Sequence, residues 1–128
     1  MTDKYVIDTS AWIEYFSGTK LGKKVQPIIE KAEIGTSFLA IAELADKFTR
    51  SGKEIKQPLD IIRSKAALLQ LSTNICLNAG SLKNKIREKK PKFGLTDALH
   101  LATAIDEKAI LVTTDNDFQD TEHALVIN

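Results

Sequence analysis

The chain of 128 residues contains a single cysteine, Cys76. One cysteine excludes an intrachain disulfide and a cysteine-based zinc site, and we interpret Cys76 as a small side chain within a helix rather than as a catalytic thiol. Long apolar runs are also missing. No stretch reaches the roughly 18 apolar residues of a membrane helix, and the opening MTDKYVIDTS lacks the apolar core of a secretory signal. We therefore expect a cytoplasmic protein without a membrane segment.

The sequence also lacks a surplus of charge of either sign. Its 18 Lys and Arg residues against 17 Asp and Glu residues give a formal net charge of +1. This value neither favours nor excludes a polyanionic partner, because local charge decides phosphate binding. Hydrophobic residues make up 43% and charged residues 27%, as in folded globular chains. The length fits one domain, residues 1–128, with one hydrophobic core.

The hydrophobic pattern predicts strands near both ends of the chain and helices between them. Residues 5–7 and 109–113 are short runs rich in β-branched and apolar residues, and residues 124–127 fit a last short strand. Apolar residues at helical spacing indicate helices around residues 11–16, 21–34, 41–48, 58–69, 75–86 and 98–105. Strands joined by helical crossovers form parallel sheets. We therefore predict an α/β fold with three layers, a central parallel sheet flanked by helices.

Three aspartates fall where such a fold places ligands. Asp8 and Asp115 follow predicted strands, and ligands bind at the carboxyl ends of strands in open parallel sheets. Asp97 lies in the first turn of a predicted helix, at the edge of its apolar stripe. Carboxylates that converge repel one another, so such a cluster is stable mainly around a hard cation such as Mg²⁺ or Mn²⁺. A cation held in this way suits hydrolysis of phosphodiester bonds.

Four segments together resemble a known family: residues 6–10 (VIDTS), 42–44 (AEL), 95–99 (LTDAL) and 112–118 (VTTDNDF). They resemble the PIN-domain nucleases and, in order and spacing, are most similar to the VapC toxins. The resemblance spans nearly the whole chain. It implies a PIN-like fold and an acidic pocket that binds Mg²⁺ or Mn²⁺, made of Asp8, Glu43, Asp97 and Asp115.

The same resemblance implies supporting roles for three further residues. Thr113 would support the pocket by hydrogen bonding, Asp117 matches a more variable acidic position, and Ser10 matches a small polar position beside the first aspartate. The implied activity is that of an endoribonuclease that hydrolyses RNA in line, without a covalent intermediate, and leaves a 5′-phosphate. The implied partners are the RNA substrate, a second copy in a homodimer and a cognate VapB-like antitoxin.

A basic segment, residues 83–92, begins in the last turn of the helix predicted at residues 75–86. Its cations could contact RNA phosphates, but a solvated helix end explains them equally well. The segment contains Lys83, Lys85, Arg87, Lys89, Lys90 and Lys92.

Several residues also have ordinary structural explanations. A helical wheel places Glu43 opposite the apolar stripe of its helix, as in a solvated glutamate, unless that face borders the cleft. His100 also lies away from the apolar stripe of its helix, and His123 lies in a polar tail, so we predict that both are on the surface. Trp12 and its aromatic neighbours are expected in the core or at an interface.

Other functions for this fold remain to be weighed. A receiver-type phosphoacceptor is disfavoured, because this sequence lacks the acidic pair that a receiver would have at Asp8. A haloacid-dehalogenase-type phosphatase is disfavoured, because this sequence has Ser10 where such a phosphatase has a second aspartate. A PIN-like module that binds RNA or protein without catalysis is the alternative to the nuclease. Metal-dependent cleavage would distinguish the two.

Overall fold

The computed structural model describes residues 3–128. The strands of the fold are β1 (Lys4–Ile7), β2 (Glu33–Ser37), β3 (Ala66–Leu69), β4 (Ile110–Thr113) and β5 (Ala124–Val126). The helices are α1 (Thr9–Ser17), α2 (Lys20–Lys31), α3 (Phe38–Arg50), α4 (Lys56–Lys65), α5 (Thr73–Ile86) and α6 (Leu95–Asp106), and a short 3₁₀ helix, Asn116–Phe118, follows β4.

All five strands are parallel and lie in the order β3-β2-β1-β4-β5. The chain leaves β1 toward β2 on one side and returns later to place β4 on the other side. The order therefore reverses beside β1, and the crevice outside the carboxyl ends of β1 and β4 is where an open α/β sheet binds ligands. Asp8 follows β1 directly, and Asp115 lies just beyond β4.

Two hydrophobic cores lie on opposite faces of the sheet. Val6 and Leu111 pack on the face covered by α5 and α6, with Phe93 and Phe118. Ile7 and Val112 pack on the other face. Because neighbouring residues of a strand point to opposite faces, both faces of β1 and β4 are apolar. Helices on both sides of a parallel sheet confirm the predicted three-layer α/β fold.

Two strands of this sheet were missed by the hydrophobic pattern. Helix α2 continues through Pro27 but ends at Lys31, and the residues assigned to its end and to the following break form β2. The end of the helix predicted at residues 58–69 is β3, an edge strand. Both strands are only four or five residues long. A run that short cannot be told from a helix turn by its period.

Other expectations can be compared with the same elements. Trp12 is fully buried and stacks on Phe16, which places it in the core, one of the two expected locations. Cys76 lies on α5 as expected, but its side chain is exposed rather than packed. Within residues 3–128, none of the helices has the length and apolar character to cross a membrane.

Candidate active site

A cleft of about 290 Å³ opens at the carboxyl ends of β1 and β4. All four acids of the predicted pocket line it, from four separate parts of the fold. Asp8 follows β1, Glu43 lies on α3, Asp97 on α6, and Asp115 begins the 3₁₀ helix after β4. The remaining lining residues are Thr9, Ser10, Ile13, Asp46, Lys47, Arg50 and His100.

Asp8 is the most buried of the four, with 4% of its surface exposed. It caps α1: its Oδ1 accepts hydrogen bonds from the backbone N–H of Ala11 at 3.0 Å and from Ser10 Oγ at 2.8 Å. Burial raises the pKa of Asp8, although hydrogen bonds from Thr113, Ala11 and Ser10 and the charge of His100 oppose the rise. A nearby cation would favour the ionised form of this carboxyl.

The start of α1 is held by a buried polar network. Thr36 donates a hydrogen bond from Oγ1 to the carbonyl oxygen of Ile7 at 2.6 Å and accepts one from Trp12 Nε1 at 3.0 Å. Both side chains are fully buried. Because buried polar groups are costly unless paired, this network fixes the backbone on which Asp8 sits.

Thr113 and Ser10 connect Asp8 to the end of β4. The Ser10 hydroxyl lies 3.2 Å from the Thr113 hydroxyl and accepts a hydrogen bond from the backbone N–H of Thr114 at 3.0 Å. Thr113 Oγ1 in turn accepts from the backbone N–H of Asp115 at 3.1 Å. The two hydroxyls therefore tie the loops that carry Asp8 and Asp115 to one another.

Asp97 and Asp115 anchor their own backbone segments. Asp97 Oδ2 accepts from the N–H of Gly94 at 3.0 Å, and Asp115 Oδ1 accepts from the N–H of Asp117 at 2.9 Å. The pKa of Asp97 is raised by its partial burial and by the negative charges of Asp115 and Asp117, against the Gly94 hydrogen bond and the charge of His100. These acids therefore lie close enough to repel one another.

Glu43 differs from the other three because its partners are side chains. Its Oε1 accepts hydrogen bonds from Thr9 Oγ1 at 2.6 Å and from His100 Nε2 at 2.7 Å. Burial alone would raise the pKa of Glu43, but the hydrogen bonds from His100 and Thr9, together with the charge of His100, lower it. Glu43 is therefore an anion at neutral pH. Its place in the lining shows that the polar face of α3 borders the cleft.

The donor set fits a hard cation that keeps part of its water. The hydrogen bonds of Glu43, Asp97 and Asp115 each engage one oxygen and leave the second without a partner among residues 3–128. In the same part of the chain, no three His, Cys, Asp or Glu side chains form a ready-made metal cage. Mg²⁺ does not require one, since it is usually held by one or two carboxylates together with water and substrate phosphate.

Asp117 and the basic segment lie outside this cleft. Asp117 is exposed and borders a second, outer cavity of about 340 Å³ with Lys90 and Lys92. Lys90 donates to the backbone carbonyls of Asp117 and Gln119, and Arg87 Nε donates to the carbonyl of Phe93 at 2.7 Å. Two of the six cations therefore brace loops.

Sequence reasoning missed six lining residues of the cleft, which are Thr9, Ile13, Asp46, Lys47, Arg50 and His100. The prediction for His100 was wrong: this side chain is 3% exposed, whereas His123 is on the surface as predicted. His100 follows Asp97 by three residues, which places the two on one helix face. Lys47 and Arg50 follow Glu43 by four and seven residues, so the same spacing signal was present for them.

Comparison with known proteins identifies the family. The family model described as the PIN domain matches residues 5–124, nearly the whole chain. The chain belongs to the PIN-domain family. A search among curated proteins gave no match.

Solved structures share the fold of this PIN domain at low sequence identity. A toxin–antitoxin complex from Klebsiella pneumoniae aligns with a TM-score of 0.77 and 22% identity, over 97% of this chain and 98% of that chain. VapBC2 from Rickettsia felis, bound to a DNA fragment from its promoter, gives 0.75 and 22% over 96% of each. VapC20 from Mycobacterium tuberculosis, a sarcin–ricin loop cleaving toxin, gives 0.69 and 12% over 92% of this chain and 95% of that one.

Proposed function

We propose that this PIN domain is a Mg²⁺- or Mn²⁺-dependent endoribonuclease and the cytoplasmic toxin of a toxin–antitoxin pair. The observation that carries the proposal is the convergence of Asp8, Glu43, Asp97 and Asp115 on one cleft at the switch point of the sheet. The fold shared with a toxin that cleaves the sarcin–ricin loop supports RNA as the substrate.

The four acids and two neighbouring hydroxyls have tasks that their surroundings support. Asp8, Asp97 and Asp115 would hold the cation, with Glu43 beside them, and the bound cation would supply water activation and charge neutralisation at the phosphate. Ser10 and Thr113 keep Asp8 in place by hydrogen bonding. No histidine is needed as a general base in this scheme.

Cations in the acidic cleft and at the outer cavity would hold the RNA backbone. Lys47 and Arg50 line the acidic cleft itself, and Lys90 and Lys92 line the outer cavity next to Asp117. Phosphate contacts of this kind position the strand without reading its sequence. We extend the proposal to Lys83, Lys85, Arg87 and Lys89 as more distant backbone contacts.

The test is cleavage of a labelled RNA pool by the purified protein with Mg²⁺, with Mn²⁺ or with EDTA. Asp8→Asn and Asp97→Asn should each abolish metal-dependent cutting, and Asp106→Asn, on the exposed end of α6, should cut normally. Absence of cutting with either metal would favour the non-catalytic binding module. Cutting in EDTA would rule out the proposed metal chemistry.

An antitoxin of the VapB type is the proposed partner, because similar folds occur in toxin–antitoxin complexes. A groove of about 450 Å³ between α1, α3 and α4 suits an apolar segment of such a partner. It is lined by Phe16, Phe48, Pro58 and Ile61, and it shares Ile13 and Lys47 with the acidic cleft. Occupation of this groove would therefore place the partner beside the active site.

Inhibition by the product of a neighbouring small gene would test this partner. Ile61→Glu in the groove should cleave RNA normally but escape inhibition, and equal inhibition of this variant would exclude the groove. Homodimerisation, the remaining part of the proposal, predicts the mass of two chains by light scattering.

A further inference from the structure

His100 is the one buried side chain of the cleft that the proposed chemistry does not use. It lies on α6, and its Nε2 is 2.7 Å from Oε1 of Glu43 on α3. The hydroxyl of Thr9 on α1 donates to the same oxygen at 2.6 Å. Three elements thus meet at one carboxylate oxygen.

The protonation pattern of His100 follows from these partners. An ionised carboxylate only accepts hydrogen bonds, so Nε2 carries the hydrogen. The other ring nitrogen, Nδ1, is buried without a partner among residues 3–128. Most buried polar atoms are paired, so a histidine that served only as packing would be expected to satisfy both nitrogens. His100 therefore makes its hydrogen bond to Glu43 through Nε2 and leaves Nδ1 unpaired.

The consequence for Glu43 is a fixed orientation. A glutamate on the polar side of a helix can normally adopt many rotamers, and holding it still has an entropic cost. Two donors on Oε1 remove that freedom in advance, while Oε2 has no hydrogen-bond partner among the described residues. Since Glu43 lines the acidic cleft, Oε2 is the oxygen left for a cation or for its water.

We propose that His100 is a positioning residue that, together with Thr9, aims Glu43 into the metal site. The inference rests on the proposed metal-dependent nuclease and deepens it. Partners of metal ligands typically change metal affinity by about 10- to 100-fold when they are removed. In this role His100 acts on the cation through its hydrogen bond to Glu43.

The test measures Mn²⁺ affinity by titration calorimetry for the full chain and for His100→Leu, Glu43→Ala and the double variant. His100→Leu should weaken Mn²⁺ binding by about tenfold. In the Glu43→Ala background the same change should have less than about a twofold effect, because the residue through which it acts is gone. His100→Gln keeps a donor near the position of Nε2 and should recover most of the loss.

RNA cleavage provides a second readout that a purely structural role would not produce. In His100→Leu the Mn²⁺ concentration for half-maximal rate should rise about tenfold, while the rate at saturating Mn²⁺ stays close to that of the unaltered protein. His123→Asn changes an exposed histidine in a left-handed conformation that asparagine tolerates, and it should change neither quantity.

Several results would overturn the inference. One is an unchanged Mn²⁺ affinity in a folded His100→Leu variant. Another is an equal loss of Mn²⁺ affinity from His100→Leu in the unaltered protein and in the Glu43→Ala background. If His100→Leu does not fold, Thr9→Val removes the other donor to Oε1 from a partly exposed site, and unchanged affinity there has the same meaning. An unaltered protein that neither binds Mn²⁺ nor cuts RNA removes the proposed function itself, and this inference with it.

Discussion

Replacing Asp8 by asparagine should stabilise the metal-free protein while abolishing its activity. The pKa of Asp8 is raised by burial above its ordinary value of 3.8, so the folded state binds this proton more tightly than the unfolded state. Stability is then lost as the pH rises from 3.8 through the pKa of the folded state, because over this range the folded protein holds more protons than the unfolded chain. At neutral pH the buried carboxylate is therefore a source of instability.

The size of the effect follows from what asparagine keeps. Its Oδ1 can still accept from Ala11 and Ser10, and asparagine caps helices about as well as aspartate. The buried charge is removed, and the Thr113 hydroxyl, which donates to the carboxylate, can instead accept from the amide N–H. We therefore expect a gain of about 1 kcal/mol. For a chain of this length that corresponds to a rise of about 3–5 °C in Tm.

Thermal unfolding in EDTA at pH 7.5 and at pH 4 measures this prediction. The advantage of Asp8→Asn should shrink at the lower pH, where the carboxyl of the unaltered protein takes up its proton. Asp117→Asn, at an exposed position, should change stability by less than about 0.5 kcal/mol.

Mn²⁺ should then reverse the order of the two proteins. A ligand at a hundredfold excess over its Kd stabilises the folded state by about 2.7 kcal/mol, more than the gain from asparagine. Loss of stability in Asp8→Asn without metal, or a persistent advantage at saturating Mn²⁺, would refute the reasoning.

Three further predictions concern the framework and the RNA path. Gly22→Ala should lower the free energy of unfolding in urea by about 1–3 kcal/mol, because its Cβ would lie 2.0 Å from a backbone oxygen of α1. Gly80→Ala on α5 is the control: its Cβ meets nothing within 4 Å, and it should gain about 0.5–1 kcal/mol. Equal effects of the two substitutions would contradict this prediction. Thr36→Val should cost about 1–3 kcal/mol by unpairing a buried indole N–H and a β1 carbonyl, and a loss below about 0.5 kcal/mol would show that the network is dispensable. Lys89→Ala with Lys92→Ala should reduce the salt dependence of RNA binding, measured by fluorescence anisotropy with the inactive Asp8 variant, by about one unit of slope per lysine, and an unchanged slope would remove this segment from the RNA path.

The three layers of the fold and the position of Asp8 and Asp115 could be predicted, because both depend on local patterns in the sequence. The apolar run at residues 109–113 is rich in β-branched and large aliphatic residues and is followed by turn residues, which favours a strand buried on both faces. Turn residues after such strands fall at one edge of the sheet. The convergence of Asp8 and Asp115 follows from topology alone. Glu43 required the family resemblance, since its helical wheel favoured solvent.

The short strands β2 and β3 could not be predicted in the same way. Each joins the sheet through pairing with residues far away in the sequence, β2 with β1 and β3 with β2. Strand formation depends more on such neighbours than on intrinsic preference. In β2, Gly35 is disfavoured in strands by propensity, yet it fits because a Cβ there would lie 2.9 Å from Leu69 of the neighbouring strand.

The failure at His100 has a different cause, which links the fold to the site. A helical wheel assumes that the side opposite the apolar stripe faces water, but α6 is buried at Ala98 and at five of the six residues from His100 to Ile105. A polar side chain on the second buried face must find a partner within the protein, and the partner of His100 is a carboxylate of the cleft. Departures from simple patterning are expected at functional sites. In this chain, a histidine three residues after a site aspartate, on a helix rich in alanine, is the sequence feature that marks the second buried face.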